Sequence, residues 1–369
     1  MRRETIAFRP YSVVHGESFF GRTHEIADLT TRLRHDQSVL ILGERRIGKT
    51  SLLTHSREHL DLFAPETPII DIATFACRSA SQLADAIIRS LKLQHPVRAS
   101  ARRDSIDLCV DLLASLKRRG KRVVIFLNDL DDALYHYQEN VEEGHVLRNF
   151  CRSIIDAGHC LACATSFREL DQLDAASHQA PLFNVFHCLT LRGFAPEEAL
   201  FFFSQASAQS GDQLQENECV FFADLLGVIP FHLQVAGFNL FSQEGFVGST
   251  GSQRLSFLTN AVDLSIRELH EHWCHKLDHI SIDQRRSLFA TARTGKVELS
   301  ADTTYLTTRG ILDIGDNPFQ SMGGAFREFM AGFSEEHAGK AGFWTNLMQG
   351  VINTATKTAI ETAVKGYLT

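Results

Sequence analysis

A chain that carries Gly43-Glu44-Arg45-Arg46-Ile47-Gly48-Lys49-Thr50 between an apolar run and a helical pattern has few ways to fold. The octapeptide fits G-x-x-x-x-G-K-[ST], and its flanks fit as well. Ser38-Val39-Leu40-Ile41-Leu42 reads as a short buried strand, and Thr50-Ser51-Leu52-Leu53 opens a helix. A strand fed into a helix through such a loop aims successive backbone N–H groups, and the positive end of the helix dipole, at one anion. Lys49 is expected to reach the β- and γ-phosphates and the Thr50 hydroxyl to ligate Mg²⁺. Gly43, Arg46, Ile47, Gly48, Lys49, Thr50 and Ser51 are therefore the expected contacts to a nucleotide's phosphates, with Mg²⁺ beside them.

The 369 residues exceed what one compact core usually holds, so two or three domains are expected. A net charge of −7 supplies no overall basic field for nucleic acid or membrane, which disfavours nucleic acid as the main partner. No run approaches the roughly 18 apolar residues of a spanning helix, and Met1-Arg2-Arg3-Glu4 leads into no signal core, so a cytoplasmic protein is expected. The eight cysteines, scattered through apparent helices and strands, read as reduced, buried thiols. His159 with Cys160-Leu161-Ala162-Cys163 makes no zinc site, because the two thiols fall on opposite faces of a strand and no second pair completes four ligands.

Further strands are expected at 67–73, 123–127, 160–165 and 185–191, with helices from Ser79 or Ser81, from Ser105 and over 49–60. Alternating strands and long helices imply parallel pairing in an α/β three-layer sandwich. Residues 1–17 read as a polar lead-in, and the basic run 117–122 as a solvated helix end. From about 195 the pattern turns helical to about 276, broken at Gly227-Val228-Ile229-Pro230. Short helices and a small β element (296–299 and 310–315) then suit a winged helix. A helical stripe formed by Leu347, Met348, Val351, Ile352, Ile360, Ala363, Val364 and Tyr367 reads as a docking or self-association helix.

A nucleoside-triphosphatase needs an acid at the end of a second strand to position Mg²⁺, and usually a carboxylate to polarise water. In Val123-Val124-Ile125-Phe126-Leu127-Asn128-Asp129 the first polar position is an amide, and Asp129 takes the water-polarising place. Thr50, Asn128 and Asp129 are the candidate metal residues. Thr165 and Arg168, at the end of the next strand, are the candidate phosphate sensors beside Asp129. Asn128 contributes no charge, so slow or absent hydrolysis is expected.

Phe19-Phe20-Gly21-Arg22-x-x-Glu25-Ile26, followed by Leu42 through Leu53, resembles the opening of the STAND and archaeal-type AAA+ P-loop ATPases. Leu191 through Ala199 resembles the entry into that group's helical lid, and Leu226 through Gln234 its G-x-P element. The resemblance implies a P-loop core, a helical lid and a winged helix, with Arg22 near the adenine and ribose and Pro230 packed on the base. The implied divisions are a lead-in (1–17), core (18–194), lid (195–276), winged-helix-like domain (277–334) and C-terminal helix (335–369). It also implies a signalling switch in which ATP and ADP control lid movement or oligomerisation, through self-association or a protein partner. Asn128 departs from the group's aspartate. The stretch after 334 is too short for a solenoid sensor, whose repeats run roughly 20 to 50 residues each. Two other readings stand beside the switch. One is a DNA-associated AAA+ protein using Arg285, Arg286, Arg293 and Lys296; the other is a scaffold whose nucleotide is never turned over.

Overall fold

The structure is a computed structural model; it describes residues 6–58, 67–94, 104–136, 141–170, 173 and 181–333, and the isolated positions 360 and 364. The C-terminal helical stripe thus falls, but for those two positions, outside the described residues. The chain forms two compact units. One is Arg22–Leu191; the other joins Met1–Gly21 to Arg192–Thr369.

The first unit is an all-parallel five-stranded sheet with helices. In chain order it runs α1 (Thr23–Arg34), β1 (Val39–Gly43), α2 (Lys49–Glu58), β2 (Ile69–Ala73), α3 (Ala80–Gln94), α4 (Ser105–Arg118), β3 (Val124–Asn128), α5 (Leu130–His136), α6 (Val141–Asp156), β4 (Leu161–Ser166) and β5 (His187–Leu191). The strand order is β2-β3-β4-β1-β5. The central strands β1 and β4 are buried at every position, as parallel strands covered on both faces must be. The outer strands β2 and β5 are only part-buried and carry Asp71 and His187, polar residues that discourage a further strand from pairing. One face of the sheet (Leu40, Ile70, Ile72, Ile125, Leu127, Ala162, Ala164) packs with the apolar stripes of α3, α4 and α6. The expected strands are present with ends moved by one or two residues; residues 182–185 form a short 3-10 turn before β5. Lys117 Nζ donates 2.6 Å to the Ala157 carbonyl just past α6, so the basic run begins by capping a helix end. All eight cysteines are reduced, seven buried and Cys188 exposed.

The second unit contains α7 (Pro196–Gln209), α8 (Glu216–Leu226), α9 (Pro230–Phe241), α10 (Gly251–Asp278), α11 (Ile282–Thr294), α12 (Ala301–Thr308) and α13 (Gly324–Ala331). The helical stretch breaks at 227–230 as expected, and also at 210–215 and 242–250, where Gly211, Gly245 and Gly248 take positive φ. Gly227 (φ 81°) lies so close to the 321–323 main chain that a Cβ would stand 2.2 Å from the Ser321 carbonyl oxygen. That approach explains the glycine of the G-x-P element.

Two expectations for this unit are corrected. The lead-in is not merely polar: Phe8 is buried against the rings of Phe202, Phe203 and Phe241, and the Ala7 N–H donates 2.9 Å to Ser210 Oγ. Nor do 296–299 and 310–315 form strands; the described residues of this unit contain none. Local hydrogen bonds take their place. Thr303 Oγ1 donates to the Glu298 carbonyl as part of the α12 cap. The Asp313 carboxylate accepts from Ser321 N–H and Oγ, closing a turn. Leu299 (85% exposed) and Ile314 (80%) consequently point to solvent instead of packing a wing. Helices α11, α12 and α13 pack together without it.

Candidate functional site

The loop between β1 and α2 has the geometry its sequence requires. Gly43 ends β1 where a Cβ would meet Ile47 Cγ2 and the Leu191 carbonyl, both at 3.0 Å. Arg46 (φ 65°) and Gly48 (φ 102°) turn the chain through the left-handed region, which bends successive amides toward one concave side. Lys49 is buried, its Nζ donating to the carbonyls of Gly43 (2.9 Å) and Glu44 (3.0 Å) inside the loop. Thr50 and Ser51 follow in the first turn of α2, whose amides have no carbonyl four residues back within the helix.

Arg22 also meets this loop. It is a non-glycine residue with φ 62°, it is buried, and its guanidinium donates to the Ile47 carbonyl (3.1 Å) while pairing with Glu25 (2.9 Å). Arg22 thus braces the phosphate loop. Pro230 belongs to the second unit, where it occupies the first turn of α9.

β4 lies between β1 and β3, with Ile41 opposite Thr165 and Leu127 opposite Ala164. This order puts the end of β4 between the phosphate loop and the end of β3. Asn128 ends β3; its carbonyl accepts from Thr74 Oγ1, and its side-chain Oδ1 is buried with no hydrogen-bond partner among the described residues. Asp129 takes φ 56°, and its N–H donates 2.8 Å to the buried Thr165 hydroxyl. Burial raises the Asp129 carboxyl above its ordinary pKa, and Asp131 and Asp132 add to the rise; Lys49 and Arg45 pull it down. Asp129 thus feels the loop lysine, as a common site requires. Three of the four described non-glycine residues with positive φ (Arg22, Arg46, Asp129) lie at this one site, where stored strain is most often retained.

Arg168 is held by carboxylates. Its Nη1 lies 3.1 Å from both Asp131 and Asp132, and its guanidinium stacks 3.9 Å from the Tyr135 ring centroid. Two residues went unnoticed in the sequence. Asp131 anchors the chain after β4, and Phe167 lies under the loop's Arg45 at 5.5 Å. An acid two residues beyond Asp129 was the available signal for the first. Of the four basic residues considered for DNA, Arg285 is buried on the Ile280 carbonyl and Arg286 pairs with Asp283. Among the described residues no cluster of three His, Cys, Asp or Glu could hold a metal ion, and no helix is long and apolar enough to cross a membrane.

The model of the novel STAND NTPase 2 family matches residues 72–297, more than half of the chain and inclusive of β3 and β4. The chain belongs to that family. No curated protein matches it. Among solved structures, this STAND NTPase is similar to the Walker-type ATPase PABY2304 of Pyrococcus abyssi. Their identity is 17% and the TM-score 0.53, over 84% of this chain and 95% of that one. It is also similar to the ORC2 protein of Aeropyrum pernix, solved as ADPNP–ADP complexes, with 12% identity and a TM-score of 0.52 over 97% and 99% of the two chains. The ADP form of that protein gives 13% identity, a TM-score of 0.52 and coverage of 96% and 98%. At these identities the likeness is one of fold, that of a P-loop NTPase.

Proposed function

We propose that this STAND NTPase is a nucleotide-controlled switch that holds ATP or ADP with Mg²⁺ on loop 43–50 and hydrolyses ATP slowly or not at all. The observation that carries the reading is an intact phosphate loop facing an amide, Asn128, where the metal-positioning acid would stand. The residues fit the group. The turn at Arg46 to Gly48, the first-turn amides of α2 and the Lys49 ammonium would hold phosphate oxygens; Lys49 would exchange two neutral carbonyl acceptors for charged ones. Thr50 would hold Mg²⁺, which supplies charge neutralisation at the phosphates, with Asn128 and Asp129 reaching it through water. The buried, unpartnered Asn128 Oδ1 is an acceptor that a metal-bound water would satisfy. It brings no negative charge, and Asp129 has a shorter arm than glutamate, so polarisation of an attacking water is weak.

Control of conformation is supported by where the chain passes between its units. Both crossings, Gly21 to Arg22 and Leu191 to Arg192, adjoin the loop. Arg22 binds the Ile47 carbonyl, and Leu191 is paired with Gly43 in the sheet. Occupancy of the loop would therefore bear directly on both connections. The trigger or effector is a second copy or a partner protein. Light scattering after gel filtration, in Mg²⁺ with ADP or with adenylyl imidodiphosphate, tests the switch. Mass or hydrodynamic radius should differ between the two nucleotides in the wild type and not in Lys49→Ala. Identical behaviour with both, despite binding, refutes the switch and leaves a nucleotide-bound scaffold.

A further inference from the structure

Asp131 is the least exposed carboxylate among the described residues, at 1%. A buried carboxylate persists only where donors repay its lost hydration. All three donors given to Asp131 come from the segment just after β4. The Phe167 N–H reaches Oδ1 at 3.1 Å, and the Arg168 N–H and Nη1 both reach Oδ2 at 3.1 Å. Two residues earlier, the Asp129 N–H donates to Thr165 Oγ1 at 2.8 Å. The β3–β4 ladder itself stops at Leu127 opposite Ala164. Side chains then continue the pairing past the end of the sheet, 129 to 165 and 131 to 167 and 168. The Phe167 ring, held by this tie, lies under Arg45 of the phosphate loop.

From this geometry we propose that Asp131 is a positioning residue for discrimination between nucleoside triphosphate and diphosphate. Its carboxylate fixes the main chain at the exit of β4, and with it the Thr165 hydroxyl, relative to the loop and to Asp129; the Arg168 guanidinium is shared equally with Asp132. The inference rests on the nucleotide site proposed above and assigns this acid a task that neither the loop nor Asn128 performs. Asp132, the other carboxylate on Arg168, is about half exposed on its side chain and touches no main chain of that segment in the described contacts, so it is the control.

The test is equilibrium binding of Mg²⁺–ADP and of Mg²⁺–adenylyl imidodiphosphate to the full chain. Wild type, Asp131→Asn and Asp132→Asn are compared. Asn keeps the volume of Asp131 but turns an NH₂ toward existing donors. The ratio of triphosphate-analogue affinity to ADP affinity should fall about tenfold from wild type to Asp131→Asn, with ADP affinity held within about threefold. In Asp132→Asn the ratio should be unchanged. A purely structural role would lower both affinities together or neither, and either result in Asp131→Asn overturns the proposal. If wild type binds neither nucleotide, the underlying site reading fails instead, which the same titration reveals. Should Asp131→Asn not fold, hydrogen exchange of the wild type decides. The Phe167 and Arg168 amides should exchange as slowly as those of β4, and exchange at open-loop rates overturns the clamp.

Discussion

His232 should make the second unit sensitive to acid, by an amount set by where its proton can bind. The ring is fully buried; Nδ1 donates 2.7 Å to the Leu226 carbonyl and Nε2 has no hydrogen-bond partner among the described residues. Burial, aided by Lys276, lowers its pKa from 6.5 to about 3. Unfolded, the same imidazole takes up a proton near pH 6.5. Because the folded value is the lower one, the stabilisation is complete above pH 6.5 and is lost as pH falls from 6.5 toward 3. The slope is about 1.4 kcal/mol per pH unit. Down to pH 4.5 the folded ring stays neutral, so His232 alone should cost about 2.3 kcal/mol between pH 6.5 and 4.5, and about 2.7 kcal/mol counted from pH 7.5. His232→Asn retains a donor for the Leu226 carbonyl but carries no titrating group. Urea unfolding at pH 7.5, 5.5 and 4.5 measures the effect, followed by the buried Trp273, whose ring centroid lies 6.4 Å from that of His232. A Trp344→Phe background isolates that signal. The difference between the parent and His232→Asn should shift by about 2.7 kcal/mol from pH 7.5 to 4.5, the parent losing more. A difference independent of pH would refute the claim that this histidine folds as a buried neutral ring.

Asn128→Asp should raise ATP hydrolysis by about tenfold or more, measured as phosphate release at saturating Mg²⁺–ATP. No gain would mean that the amide is not what limits turnover. Phe8→Ala should destabilise the second unit by about 3 to 5 kcal/mol in the same urea assay, since it empties a site lined by Phe202, Phe203 and Phe241. A cost below about 1 kcal/mol would show that the lead-in is not part of the core. Under native conditions a thiol reagent should modify Cys188 fast and the other seven cysteines slowly, because they are buried and burial pushes thiols such as Cys109 and Cys151 up to about 12. Fast modification of several would contradict the packing.

The core was legible because its signals are local. Buried parallel strands are continuous apolar runs, and the phosphate loop must lie between a strand and a helix, so residues 38 to 53 specify their own arrangement. What escaped was set by contacts distant in sequence or by competing local bonds. Phe8 lies in the stretch Ile6-Ala7-Phe8-Arg9-Pro10, too short to show a periodicity, and its partners are roughly 200 residues away. The alternation at 296–299 suits a strand, but the α12 cap claims the Glu298 carbonyl. The reach of Arg22 to Ile47 is a tertiary contact that spacing does not encode. Asp131 follows an acid already given a role, and its burial appears only when α5 packs it against the end of β4.

The central claim, that this chain holds a nucleotide on loop 43–50, is tested most directly by denaturing the purified protein and identifying and quantifying what it releases, with Lys49→Ala as control. The account predicts about one adenine nucleotide per wild-type chain, greatly reduced in the variant, its phosphate count reporting whether hydrolysis has occurred. A wild-type protein that releases none, and that fails to bind added ATP with Mg²⁺, would contradict it.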